Sequence, residues 1–243
     1  MKEQLNLLIY WTADGGPYHY HFSAISAQWP TVNDMNTNTN GMATAASAAD
    51  RYFRCYEAHC IKPDVDTLFN LLNALHSLND KLHKHCETNF FSVNEFVALK
   101  ALRNLFHHQA ELLNEIRVVA AQDLPPLTTD LIFLCLVPRG LVETAIANVD
   151  AKRKAQDEPV IREVLKWYGN VVNINPCIFN FSVHVFEKSE ALRLPLVSEG
   201  YESIKGSYAF EVANGHSHFI RGDIACTAGS VDEVLSRVFT DVV

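Results

Sequence analysis

The stretch that decides the fold is FSVNEFVALKALRNLFHHQAELLNEIRVVAA, residues 91–121. Ser92, followed three residues later by Glu95, has the form of a helix capping box, and Phe91 and Phe96 occupy the positions of a hydrophobic staple. No glycine or proline interrupts the stretch, and a double proline follows it. We therefore predict one long helix that begins about one residue after Ser92 and continues to the end of the stretch.

Residues of opposite character are separated around this predicted helix. At about 100° per residue, one side carries the residues expected to face the core: Leu99, Leu102, Leu105, Phe106, Leu113, Ile116 and Ala120. Away from most of these lie four polar residues that can bind an anion or transfer a proton: Arg103, Asn104, His107 and His108. Phe96, Val97 and Val118 lie on this same polar side, which points to partial cover by another subunit. A solvated helix face with two incidental histidines is the simpler interpretation.

The hexapeptide Arg103-Asn104-Leu105-Phe106-His107-His108 resembles the Arg-Asn-x-x-x-His signature of HEPN domains. These domains are small all-helical modules, and many of them are metal-independent ribonucleases. The resemblance covers about residues 43–121, where two further helical segments precede the motif as the family's fold requires. It implies that Arg103 and His108 are catalytic and that two motif helices face each other across a homodimer.

The side chains of the motif suit cleavage of RNA by its own 2′-hydroxyl. That reaction needs a base, an acid and positive charge at the phosphate. Imidazole serves as acid or base near neutral pH, and a guanidinium grips phosphate with two donors. We therefore expect Arg103 to bind the phosphate and His108 to transfer protons. We expect Asn104 to orient either His108 or the scissile phosphate. His107 falls outside the usual family spacing and is assigned a helper role. We expect no metal and no cofactor.

The resemblance also suggests a biological role and partners. RNA is the expected substrate, and a toxin or antiviral effector restrained by an antitoxin or another regulatory protein is the expected setting. The alternative is a noncatalytic helical module that binds RNA, a nucleotide or a protein through the same helix face. A zinc-stabilised structural protein is a third possibility, with Cys55, His59, His83, His85 and Cys86 as candidate ligands, but their spacing does not repeat that of structural zinc sites.

Composition limits the class of protein. The chain has 243 residues, 48% of them hydrophobic, and a net charge of -8, which argues against general nucleic-acid affinity, because that affinity comes mainly from Lys and Arg. RNA would then bind in a local cationic cleft. The first residues do not form a signal peptide, and no apolar run is long enough to span a membrane. With six scattered cysteines, a cytoplasmic protein with reduced thiols is expected.

The flanking sequence predicts a mainly α fold, an antiparallel HEPN-like helical bundle with a smaller α+β C-terminal region. Three parts are expected: an irregular N-terminal segment (1–42) with a polar loop at 31–42, the bundle (43–174) and the α+β region (175–243). Ala43 to Cys60 is predicted as a helix. The next helix follows from Asp64 or Asp66, and its leucines recur at three- and four-residue steps: Leu68, Leu71, Leu72, Leu75, Leu78 and Leu82.

Further elements are expected after the double proline. Leu131 to Val137 is either a buried strand or a buried helical turn. Helices are predicted over 141–156 and 158–172, and the first ends in the best candidate for a phosphate-binding patch: Lys152, Arg153 and Lys154. Alternation over residues 179–185 predicts a strand, and two more strands, 208–212 and 218–226, are predicted around an Asn214-Gly215 turn. A final helix is expected from Ser230.

Overall fold

The computed structural model describes residues 32–108, 117–120 and 133–220. The chain is mainly helical in these ranges, as predicted, with seven helices: α1 (Val32–Ile61), α2 (Val65–Cys86), α3 (Asn94–His108), α4 (Arg139–Ala147), α5 (Ala151–Val164), α6 (Asn175–Ala191) and α7 (Glu199–Asn214). Four short strands form one antiparallel sheet in the order β1-β2-β4-β3: β1 (Arg117–Ala120), β2 (Phe133–Pro138), β3 (Lys166–Tyr168) and β4 (Val171–Asn173).

Helices α1 and α2 form an antiparallel hairpin, and its second helix confirms the sequence prediction closely. Asp64 caps α2, because its carboxylate accepts a hydrogen bond from the backbone N–H of Thr67 at 2.7 Å. The Thr67 hydroxyl oxygen accepts in turn from the N–H of Asp64 at 2.9 Å. The leucines predicted to line one face are all buried. Helix α1 also contains residues 32–42, which were predicted as irregular, so the predicted start of this helix at Ala43 was wrong. The local propensity of a polar segment is a weak guide to whether it is helical in the folded chain.

Helix α3 starts close to the predicted residue, but the prediction of one helix to residue 121 was wrong. Phe91 contacts Phe96 with ring centroids 5.9 Å apart, as in the predicted staple. Glu95 was predicted to form a capping box with Ser92. Its carboxylate lies 3.4 Å from the imidazole of His184 in α6. Residues 117–120 form β1, which pairs with β2. Its two central valines are β-branched and favour a strand when a partner strand is present.

The sheet uses the apolar run whose structure the sequence left open. Residues 133–138 form β2, whose side chains from Leu134 to Val137 are fully buried. It pairs with β4, and β4 pairs with β3 in a tight hairpin. Gly169 lies in the turn of this hairpin with φ of +46°, a left-handed conformation that suits glycine. The predicted helix over 158–172 therefore ends at Val164, and the rest of that segment forms strands.

The predicted helix over 141–156 is two helices. Helix α4 ends at Ala147, and Asp150 caps the start of α5 by accepting a hydrogen bond from the N–H of Lys152 at 2.8 Å. The basic cluster therefore lies in the first turn of α5 and not at a helix C-terminus, which corrects the predicted position. Asp150 is a strong N-cap residue, so it starts a new helix at this point.

The predicted α+β C-terminal region was wrong for its described part, residues 175–220, which contains helices α6 and α7 and no strand. Residues 179–185 alternate in polarity, yet they belong to α6, because both kinds of residue are buried there: Ser182 is 1% exposed and Phe181 is 0% exposed. Residues 208–212 lie in α7, and Gly215 ends that helix with φ of +68° instead of forming a hairpin turn.

A cluster of aromatic rings in the core joins α1, the α2–α3 connection, α3 and α6. Phe181 of α6 contacts Tyr52, Phe90 and Phe96, with ring centroids 5.1 to 5.8 Å apart. Phe96 was placed on the polar side of the motif helix, where cover by another subunit was expected. It is covered instead by α6 of the same chain. Residues 1–31, the predicted core residues Leu113 and Ile116, and the predicted strand and helix beyond residue 220 lie outside the described residues.

Candidate functional site

The guanidinium of Arg103 lies on a half-buried surface of α3, beside α2. Its Nε donates a hydrogen bond to Oδ1 of Asn73 at 3.1 Å, and its Nη1 donates to Oδ1 of Asn104 at 3.4 Å. Both acceptors are neutral amides. In the described part of the chain, no carboxylate pairs with Arg103. Among the described residues its charge thus meets only neutral acceptors, and such a group can bind an anion with charge-assisted hydrogen bonds.

Asn73 is a site residue that the sequence did not single out. Its Nδ2 donates to the carbonyl oxygen of Phe69 at 2.9 Å, so the side chain is held at one end by its own helix. The other end accepts from Arg103 and thereby orients the guanidinium. The only signal in the sequence is an amide placed among the buried leucines of α2, and pairing it with Arg103 requires knowledge of how α2 and α3 pack.

The two histidines of the motif lie exposed in the last described turn of α3. The rings of His107 and His108 pack edge to face with centroids 5.4 Å apart. Adjacent residues of a helix diverge by about 100°, so this separation means that the two rings turn toward each other. One chain thus presents two neighbouring imidazoles, about one turn of helix beyond Arg103.

The surroundings of Arg103 carry further positive charge. His76, on the next turn of α2 after Asn73, pairs with Asp80 at 3.3 Å. Burial lowers the pKa of His76, and the positive charges of Arg103 and Lys100 act in the same direction while Asp80 opposes them. The positive charges of Arg103 and Lys100 on α3 therefore act on the imidazole of His76 on α2.

The basic cluster at the start of α5 is less available than its sequence indicates. Arg153 forms two hydrogen bonds with the carboxylate of Asp157, from Nε at 3.0 Å and from Nη2 at 3.1 Å. This bidentate pair neutralises the central charge of the cluster. Lys152 is exposed and Lys154 is half-buried, so these two residues are the ones left to contact a phosphate.

The candidate zinc ligands do not come together. Nδ1 of His59 lies 2.9 Å from the hydroxyl of Thr67, and Cys86 Sγ contacts the sulfur of Met42 at the other end of the α1/α2 hairpin. Within residues 32–108, 117–120 and 133–220, no three His, Cys, Asp or Glu side chains are arranged to hold a metal ion.

Comparison of the chain with protein-family models, with curated proteins and with solved structures gave no match. In the residues that the structure describes, no helix has the length and apolar character needed to cross a membrane.

Proposed function

We propose that this protein is a metal-independent endoribonuclease of the HEPN type, which cleaves RNA by attack of a 2′-hydroxyl on the adjacent phosphate. The observation that supports this most strongly is the guanidinium of Arg103, held by two neutral amides one helical turn from two exposed imidazoles. These are the functional groups that the reaction needs, and they lie on one helix, where no carboxylate of the described residues pairs with Arg103.

Each group has a distinct task in the proposed reaction. Arg103 binds the non-bridging oxygens of the scissile phosphate and stabilises the charge that develops there. His108 removes the proton from the 2′-hydroxyl or protonates the departing 5′-oxygen. Asn104, whose Oδ1 accepts from Arg103, helps to hold the guanidinium in place. The products are a 2′,3′-cyclic phosphate and a free 5′-hydroxyl.

The second proton-transfer group has two possible sources. One is His107 of the same chain, whose ring contacts His108. The other is His108 of a second copy, in the homodimer that the family resemblance implies. Replacing His107 by Ala distinguishes them: a loss as large as that of His108→Ala supports the first source, and a small loss supports the dimer.

The test is cleavage of a mixed RNA by the purified protein in the presence of EDTA. Wild type is expected to give fragments that end in cyclic phosphate, and Arg103→Ala or His108→Ala to lower the rate by about 100-fold or more. Arg193→Ala and His83→Ala are matched controls at exposed positions outside the motif, and they should cleave as wild type does. Full cleavage by both motif variants would overturn the proposal.

The alternative is a noncatalytic module that binds RNA through the same face. The guanidinium of Arg103, held by neutral amides, favours it equally, because a guanidinium binds phosphate whether or not the strand is cut. Binding of RNA by wild type without any cyclic-phosphate product would select this alternative.

A further inference from the structure

A cleft of about 430 Å³ lies between α1 and α2, next to the residue that orients Arg103. Its walls come from both helices of the hairpin: Arg51, Arg54, Cys55 and Ala58 from α1, and Thr67, Asn70, Asn73, Ala74 and Ser77 from α2. The α2 wall extends for about 15 Å at the rise of an α-helix. The cleft is thus long enough to follow an extended ligand and not only a single ion.

The charged residues that line the cleft in the described part of the chain are both arginines. Arg51 and Arg54 are exposed, and none of the described lining residues is acidic. Neither guanidinium forms a hydrogen bond or an ion pair with any residue in the part of the chain that the structure describes. In a protein with a net charge of -8, two adjacent arginines without acidic partners mark a local site for anions.

The polar residues opposite these arginines can hold the uncharged parts of a nucleotide chain. Asn70 and Ser77 offer hydrogen-bond donors and acceptors that no described residue occupies. Ala58 and Ala74 have small side chains and leave space between the helices. The combination of fixed positive charge, amide and hydroxyl groups suits phosphate and ribose together.

The cleft is continuous with the catalytic motif through Asn73. That side chain lines the cleft and also accepts the hydrogen bond from Nε of Arg103. A strand that runs along the cleft past Asn73 therefore arrives at Arg103. Asn73 of α2 thus links the cleft that Arg51 and Arg54 line to Arg103 of α3.

We propose that this cleft binds two phosphodiester groups of an RNA strand through Arg51 and Arg54, next to the linkage that is held at Arg103. The proposal rests on the proposed ribonuclease function for the identity of the strand. It would allow an acidic protein to hold RNA without a broad basic surface, through arginines that pair with no acidic group among the described residues.

The test measures binding of a short fluorescent 2′-O-methyl oligoribonucleotide, which lacks the attacking hydroxyl and stays intact. The double variant Arg51→Ala/Arg54→Ala should bind roughly tenfold more weakly per lost guanidinium. The slope of log affinity against log salt should become shallower by about 1.4, since each phosphate contact on a single strand contributes about 0.7. Arg51→Lys/Arg54→Lys should keep most of the slope, because it keeps the charges.

The control is Arg193→Ala/Lys205→Ala, which removes an equal number of positive charges at exposed positions outside the cleft. It should leave both the affinity and the salt slope unchanged. Adenosine monophosphate serves as a competitor. If it binds in the cleft as tightly as the oligonucleotide does, the strand assignment is overturned in favour of a mononucleotide.

The outcomes separate this inference from the proposed function. If wild type cleaves RNA and the Arg51/Arg54 variant binds and cleaves as wild type does, the cleft proposal is wrong and the ribonuclease stands. If wild type leaves RNA intact but binds the oligonucleotide through Arg51 and Arg54, the cleft proposal holds and catalysis fails. Circular dichroism of each variant checks that the helices are retained.

Discussion

Nε of Arg103 on α3 donates a hydrogen bond to Oδ1 of Asn73 on α2, across 3.1 Å. The bond joins the motif helix to Asn73, a residue in the wall of the α1/α2 cleft. Because Asn73 is itself fixed to the carbonyl of Phe69, the orientation of Arg103 depends on the hairpin and not on α3 alone.

Asn73→Ala should therefore lower RNA cleavage by roughly tenfold, the effect of losing one hydrogen bond that orients a charged group. Asn73→Asp should lower it further, because a carboxylate beside Arg103 would neutralise the charge that we propose to bind phosphate. The rates of both variants are measured at saturating and limiting RNA, with thermal unfolding as a check on the fold.

Asn170→Ala, in the exposed β3/β4 turn, is the matched control. Equal rates of RNA cleavage by Asn73→Ala, Asn73→Asp and wild type would show that the Asn73–Arg103 hydrogen bond does not orient a guanidinium that takes part in cleavage.

The sequence predicts best those features that depend on neighbours along the chain. The sequence offered Asp64 or Asp66 as the cap of α2 and a regular row of leucines along it; Asp64 is the cap in the structure, and the leucines are buried. The exposed position of His107 and His108 follows in the same way from the helical period of α3. These elements need no knowledge of the tertiary fold.

Features that depend on distant partners were missed. Helix α6 is buried on nearly all sides, so its polar residues reside in the core and its alternating pattern imitates a strand. Strand β1 forms because β2 lies beside it, although its own sequence continues a helical pattern. Arg51, Arg54 and Asn73 join the candidate site only because α1, α2 and α3 pack together. No local pattern marks the two arginines, and the position of Asn73 among the leucines of α2 does not reveal its partner.

The contact that α6 makes with Tyr52 gives a test of this buried polarity. Oγ of Ser182 lies 2.7 Å from the Tyr52 hydroxyl and donates to the carbonyl of Ile178 at 3.0 Å, so Tyr52 is the donor to Ser182. Ser182→Ala leaves the buried tyrosine hydroxyl without its acceptor and should lower the free energy of unfolding by about 1–3 kcal/mol.

Adding Tyr52→Phe to Ser182→Ala should recover part of that loss, because the unsatisfied hydroxyl is then removed as well. Urea unfolding of wild type, both single variants and the double variant completes the cycle. Simple additivity of the two losses would argue against the bond.

Stability should fall in acid because of His59. This histidine is 0% exposed, and burial lowers its pKa from 6.5 to about 4, with Asp64 opposing the shift. The unfolded chain takes up a proton below pH 6.5 while the folded chain does not until about pH 4. The contribution of neutral His59 is therefore complete above pH 6.5 and is lost as the pH falls toward 4, by about 1.4 kcal/mol per pH unit in that window.

The measurement is the free energy of unfolding by urea at several pH values between neutral and mildly acidic. His59→Gln keeps a group that can hydrogen-bond to Thr67 but does not titrate. Its curve should be flatter than that of wild type over this window. Parallel curves would mean that His59 is not held neutral by the fold.

The packing of α7 against α1 depends on one glycine. A Cβ atom at Gly200 would lie 2.4 Å from the backbone oxygen of Phe53 and 3.0 Å from Cβ of Glu57. Gly200→Ala must therefore push the two helices apart, and we expect a loss of about 1–3 kcal/mol in the free energy of unfolding.

Gly206 lies in the same helix, and a Cβ there would have no atom within 4 Å. Gly206→Ala should therefore stabilise the protein, by about 0.5–1 kcal/mol, since alanine loses less conformational entropy than glycine in a helix. The two variants make the same chemical change in one helix and are expected to shift the midpoint of thermal unfolding in opposite directions. A gain in stability from Gly200→Ala would mean that α7 does not approach Phe53 of α1 closely enough for a Cβ at residue 200 to clash with it.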